Sequence, residues 1–340
     1  MTSPETLTLE RFLHRFTRRS LDPIPTDGLL AAKLRIDTVL DERGRQFSLF
    51  DAPHELVLIP APTPTHDRIP VPPPAAPESQ IADVLSPSQA RCYLDCSARW
   101  WYKHGLGLPD PKGASLVRGI VVHRLAEMAL RTKCAGEPLD NGELALLFDD
   151  VWNETCADAS FEAAEDIEKL KQQTETLAAM YIRDVVPEIE PLIVRGEPAV
   201  EMRVAGEISG VKVRGIVDLI DCHGRICDLK TAPRKPSSIA PDYALQIATY
   251  AEIAPEVSGE AQLVTLVATK TPQLVTMSYH VSDADRAQAR SIYPRVQDAM
   301  RAGIVLPNRG SNLCSRKHCN FWAACEAEHG GKVKGVENAE

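Results

Sequence analysis

The sequence predicts an α/β fold: a mixed central sheet with helices on both faces, a helical insert and a cysteine-rich C-terminal tail. Three observations carry this. From Pro198 to Ala232 the chain is rich in β-branched residues broken by turn glycines, the pattern of consecutive strands. Stretches of helical apolar periodicity stand before and after that block, an order that lets helices cover both faces of a sheet. No internal repeat is visible.

The elements follow in order. Residues 1–80 read as an N-terminal arm, poorly ordered or peripheral, with a short helix at about 28–40 and the proline-rich linker APTPTHDRIPVPPPAAPES. The main domain is expected over 81–330. It opens with Ser86 as an N-cap in SPSQARCYLDC, and a second helix covers about Ser115 to Lys133. An acidic helical insert occupies 141–190, its helices ended by Pro187 and Pro191. After the three strands come a helix at about 241–253, the strands AQLVTLVAT and QLVTMSYHV, a helix from Ser282 to Gly303, and a tail at 311–328 with three cysteines.

Composition sets bounds. The 340 residues are 44% hydrophobic and 25% charged, enough to bury a proper core in one large domain or two modest ones. No apolar run reaches the roughly 18 residues of a membrane span, and MTSPETLTLERFLHRF lacks a basic-then-apolar leader. A cytoplasmic location without a membrane partner is therefore expected. The net charge of −9 is not that of a nucleic-acid binder, but it is uneven. Ile81 to Lys133 carries eight Lys and Arg against four Asp and Glu, whereas Asp140 to Met202 carries sixteen acids against four bases. The acidity sits in the insert and leaves room for a basic groove elsewhere. Nine cysteines, an odd number without a secretory signal, argue against a disulfide framework and direct attention to metal ligation.

The strongest chemical signal is GIVDLIDCHGRICDLKTA. If Cys222, His223 and Gly224 form a three-residue loop, Asp221 pairs with Arg225, and Gly224 supplies the left-handed position such loops favour. Counting back, Asp218 falls opposite Asp228, and Lys230 points to the same face. Facing carboxylates repel unless a cation lies between them. Hard oxygen ligands suit Mg²⁺ or Mn²⁺, and a lysine beside the metal can orient water or stabilise charge on a phosphate. This is the equipment for phosphodiester hydrolysis. Glu201, on the preceding strand, is a further carboxylate able to face the site.

The block G-x-V-D-L-I-D…D-L-K-T resembles motifs of the PD-(D/E)xK nucleases, particularly the RecB-like and phage-type exonucleases. GIVVHRLAE resembles that group's G-x-x-x-H-x-x-x-E helix, at Gly119, His123 and Glu127, and QIATY its Q-x-x-x-Y helix, at Gln246 and Tyr250. The likeness covers about residues 86–326. It implies a restriction-endonuclease-like α/β/α core, a metal held by His123, Asp218, Asp228 and the Leu229 carbonyl, catalysis by Asp218, Asp228 and Lys230, and support from Gln246 and Tyr250. Glu127 reads as structural or as a support behind a metal ligand.

Cys314, Cys319 and Cys325 cluster in the tail, a soft-metal pattern that needs a fourth ligand. Cys96 is the leading candidate, with Cys92 one turn earlier and His318 as others. The resemblance implies a [4Fe–4S] cluster; zinc is the alternative. In the RWWYKH run, aromatic and basic residues either stack on a single strand or fill the core. Arg118, Arg124 and Lys270, with Arg234 and Lys235, are candidate DNA contacts, all of backbone type. DNA is thus the expected partner, with a separate helicase or recombination protein beside it because no Walker A motif occurs. Recombination, repair and phage or CRISPR DNA processing all accommodate this reading, as does an inactive scaffold that kept the fold.

Overall fold

The computed structural model describes residues 83–162 and 165–335. The expected arm, with its helix at 28–40 and proline-rich linker, lies outside these residues.

Strand β1 (Val84–Leu85) leads into helix α1 (Pro87–Asp95). Ser86 caps α1: its Oγ accepts the Gln89 N–H at 3.2 Å, and Pro87 stands in the first turn, where its missing N–H costs nothing. Cys96, in extended backbone, separates α1 from the short helix α2 (Ser97–Trp100), and a π turn spans Trp101–Gly105. Trp100, Trp101 and Tyr102 are buried in the main core, so the aromatic residues of RWWYKH pack inside and do not present a stacking platform.

Helix α3 (Ala114–Cys134) buries Val117, Val121, Val122 and Leu125 against the insert. The insert consists of α4 (Asn141–Cys156) and α5 (Ile167–Asp184), which contribute Phe148, Trp152, Leu177 and Tyr181. A capping box between Asp140 and Glu143 starts α4.

A small antiparallel ribbon, β2 (Ile193–Val194) with β3 (Glu197–Pro198), precedes β4 (Val200–Ile208), β5 (Val211–Leu219) and β6 (Ile226–Ala232). Then come α6 (Pro241–Ile253), β7 (Glu260–Val267), β8 (Gln273–His280), α7 (Asp283–Arg301) and α8 (Trp322–His329). β5 pairs antiparallel with β4 and parallel with β1. β7 pairs parallel with β6, across the α6 crossover, and antiparallel with β8. Both sheets are mixed, and helices cover both faces: α1, α6 and α7 pack on one, α3 to α5 on the other.

The expected single sheet is divided into two three-stranded sheets joined at the bridge Ile220↔Ile226. The division has a local cause. Beyond that bridge β5 and β6 part, and the Leu229 N–H is donated to the Asp218 carboxylate at 2.9 Å instead of to a strand carbonyl.

Candidate active site

The turn between β5 and β6 takes the form read from its residues. The Asp221 N–H donates to the Arg225 carbonyl at 3.0 Å, the Gly224 N–H to the Asp221 carbonyl at 2.9 Å, and Gly224 has φ +73°. Asp221 is buried and fastens the turn, accepting the His223 and Arg225 N–H groups and the Arg225 Nε within 3.0 Å. The Ile220↔Ile226 bridge continues the hairpin by one pair, and the strands separate before Asp218 and Asp228, which belong to different sheets.

From there the carboxylates diverge in partners. Asp218 Oδ2 lies 3.7 Å from His123 Nδ1, and Glu201 Oε1 lies 3.6 Å from the same nitrogen. The ligand atoms of His123, Glu201 and Asp218 all fall within 4.8 Å of one another, a trio that could hold a metal ion. Glu201 sits on β4 between the pairs Val200↔Leu219 and Met202↔Val217, across from Asp218, with a left-handed φ of +49°. Burial alone would lower the His123 pKa; Asp218 and Glu201 outweigh it and raise it. Asp228, almost fully buried, is held by Lys230, whose Nζ lies 2.5 Å from Oδ2. Burial, with Asp218 nearby, pushes the Asp228 carboxyl up to about 6. Burial disfavours the Lys230 charge, but Asp228 and Asp218 outweigh this and raise its pKa, so it stays an ammonium. That ammonium also lies 5.2 Å from the centre of the Tyr243 ring, and Arg91 stacks on the same ring at 5.4 Å.

Gln246 and Tyr250 are linked: Gln246 Nε2 donates to the Tyr250 hydroxyl at 3.1 Å, which in turn donates to the Ile216 carbonyl at 2.7 Å. The pair braces β5 two residues before Asp218. Gly215 makes this possible, because a Cβ there would stand 2.6 Å from Tyr250 Cε1.

The other predicted residues are placed as follows. Cys96, Cys314, Cys319 and Cys325 line one cavity with Arg309. Cys92 is not among the lining residues; burial pushes its thiol up to about 11. No three of the four lining sulfurs come within 4.8 Å of one another. Arg118, on α3, has a buried Nε without a hydrogen-bond partner. Arg124 is ion-paired to Glu154 of the insert at 2.8 Å. Lys270 is exposed in the turn between β7 and β8. Sequence reasoning missed Tyr243 and Arg131. Tyr243, Gln246 and Tyr250 share one face of α6 at i, i+3 and i+7, and Glu127 and Arg131 are an i, i+4 pair, so both had a signal.

The family model of the PD-(D/E)XK nuclease superfamily matches residues 84–326. The chain belongs to this superfamily. Two solved structures are similar in part. One is a candidate exonuclease from Eubacterium rectale, with 15% identity and a TM-score of 0.47, covering 76% of this chain and 91% of its own. The other is a protein designated SSO0001, with 14% identity and a TM-score of 0.31, covering 65% of this chain and 88% of its own. No curated protein matches the chain. As a PD-(D/E)XK nuclease it has the restriction-endonuclease-like α/β/α fold and belongs to a class that uses divalent metals. No helix among the described residues is long and apolar enough to cross a membrane.

Proposed function

We propose that the chain is a Mg²⁺- or Mn²⁺-dependent deoxyribonuclease, an exonuclease favouring single strands or ends. The convergence of His123, Glu201 and Asp218 on one point, with the Asp228–Lys230 pair beside them, carries this reading. The nitrogen-and-oxygen donor set fits a hard divalent cation. His123, Asp218, Asp228 and the Leu229 carbonyl would hold it, joined by Glu201. When bound, such a cation lowers the pKa of a water ligand and polarises a phosphoryl oxygen.

The protein's own residues do the rest. Lys230, kept charged by its carboxylate neighbours, donates to the anionic phosphate and does not act as a base. Tyr243 restrains its ammonium. Gln246 and Tyr250 keep β5 in place under Asp218. Arg118 offers a buried donor in need of an acceptor, and Arg118, Arg124 and Lys270 would meet phosphates, Arg124 after leaving Glu154. The exonuclease mode rests on the resemblance of the ordered motifs to RecB-like enzymes. It fits recombination, repair or phage and CRISPR DNA processing, with a separate helicase or recombination protein as partner.

The cysteine cavity would hold a [4Fe–4S] cluster through Cys96, Cys314, Cys319 and Cys325. Two features support the fit. Arg309 Nη1 is buried without a hydrogen-bond partner beside the thiols, a donor suited to an anionic cluster, and the Asn308 N–H points at Cys96 Sγ from 3.4 Å. A zinc ion on the same four cysteines is the alternative.

The decisive experiment digests end-labelled single- and double-stranded DNA with anaerobically purified protein and Mn²⁺, beside Lys230→Ala. Cleavage by the wild type alone supports the reading, and product lengths report the mode. Folded, coloured protein that cleaves nothing in Mn²⁺ or Mg²⁺ would replace it with an inactive scaffold.

A further inference from the structure

We propose that Glu127 and Arg131 form a positioning clamp that sets strand β4 so that Glu201 presents its carboxylate to the cation, an inference that rests on the metal-dependent reading above. Glu201 has φ +49° in the middle of a strand, a conformation disfavoured for any residue with a Cβ. Such a backbone persists only where its surroundings over-determine it. On the β5 side, the pairs Val200↔Leu219 and Met202↔Val217 fix the chain before and after Glu201. On the other side, Arg131 Nη2 donates to the Val200 carbonyl at 2.7 Å, next to the strained residue. Glu127 Oε1 in turn accepts Arg131 Nε at 2.9 Å and aims the guanidinium.

His123, Glu127 and Arg131 are spaced i, i+4 and i+8 on α3. One rigid helix therefore supplies the metal-binding imidazole and, two turns on, the donor that places the backbone beside Glu201. Helix α3 thus acts at both ends of the 3.6 Å approach of Glu201 to His123, with β5 fixing the strand from its other side. An ordinary surface i, i+4 pair makes no bond to a strand and contributes little. The guanidinium here uses its second arm on the strand itself, as residues that orient metal ligands do.

The test is Mn²⁺ binding by the full chain, followed by electron paramagnetic resonance, with thermal melting alongside. Arg131→Met should weaken Mn²⁺ binding on the order of tenfold. In a Glu201→Gln background the same substitution should weaken it no further, and Arg131→Lys should recover part of the loss. Unchanged affinity in Arg131→Met, or an equal loss in both backgrounds, overturns the clamp, because a purely stabilising residue has no reason to act through Glu201. Should Arg131→Met fail to fold, Glu127→Gln carries the same comparison: a smaller loss in the wild-type background alone supports the clamp, and equal losses overturn it. A wild type that binds no Mn²⁺ gives a different pattern, which rejects the metal-dependent reading and the clamp with it.

Discussion

Lys230 sits half-buried beside two carboxylates and an aromatic ring, and each neighbour constrains it differently. Asp228 and Asp218 keep it charged; the Tyr243 ring, 5.2 Å away, limits where the charge can go. If Lys230 acts on the scissile phosphate, Tyr243→Leu should lower kcat roughly three- to tenfold, the worth of a partly desolvated cation–π contact. Mn²⁺ affinity should not change, and Tyr243→Phe, which keeps the ring, should be close to wild type. A Tyr243→Leu enzyme with wild-type turnover would show that the ring merely packs. At this scale the sequence was most readable where one local rule governs geometry. Asp218, Asp228 and Lys230 could be aligned because hairpin register and period-two alternation depend only on neighbouring residues. Glu201 was visible only as a carboxylate on the right strand, since its left-handed backbone leaves no mark in the sequence. Tyr243 shared a helix face with Gln246 and Tyr250, but its contact with Lys230 is a tertiary fact.

At the scale of elements, strand and helix positions followed from periodicity, but whether β5 and β6 stay paired did not. Periodicity specifies which residues form strands. It is silent on a side chain such as Asp218 taking the N–H that a ladder would use. The RWWYKH run shows the same limit: its composition suits both a core helix and a stacking surface, and only packing decides. Gly215 is where element packing can be tested. With its Cβ position 2.6 Å from a buried, hydrogen-bonded Tyr250 ring, Gly215→Ala must push α6 from β5. The expected loss is about 1–3 kcal/mol, measured by denaturant unfolding, and Gly215→Ala should also release Gln246. A second joint links α6 to α7. Glu252 accepts Arg286 at 3.1 Å and Arg290 at 2.7 Å. Burial would raise its pKa, but the two guanidiniums outweigh that and lower it. A lowered carboxylate pKa stabilises above the unfolded value of about 4.3 and is lost as pH falls through the folded value. Glu252→Gln should therefore destabilise by about 1–2 kcal/mol at pH 7, discounted because Arg290 is more than half exposed. The gap between the two proteins should close below about pH 4. A gap that persists there would mean that packing, not charge, makes this joint.

For the whole molecule, the cysteine cavity matters because of where its ligands lie in the chain. Cys96 follows the first helix, and the other three stand in the tail, so contacts such as Asp95 with Ser311 already span 216 residues. Those contacts are polar and apolar: the Ser97 Oγ with the Leu306 backbone, the Asn308 side chain with the Asp95 carbonyl, Tyr93 with the Ile304 carbonyl, and Phe321 packed on Tyr102. A four-cysteine group would turn them into a covalent closure. Cross-linking a loop of that length removes unfolded-state entropy worth roughly 5 kcal/mol, an upper figure because native strain and residual structure subtract from it. The cluster should thus be structural, and its loss should be felt through stability and not through chemistry. Protein purified anaerobically should be brown and contain about four irons per chain. Cys96→Ser and Cys325→Ser should lose the colour and melt well below the wild type, whereas Cys92→Ser should keep both, because that residue does not line the cavity. Colour that survives Cys96→Ser but not Cys92→Ser would move the fourth ligand one turn back along α1. Colourless, zinc-bearing protein would instead make zinc the closing group. Either way, losing the closure should loosen first the tail that carries Cys314 to Cys325, leaving it held by contacts such as Phe321 on Tyr102. Mn²⁺ binding at His123, whose helix α3 packs in the α3–α5 core, should outlast it.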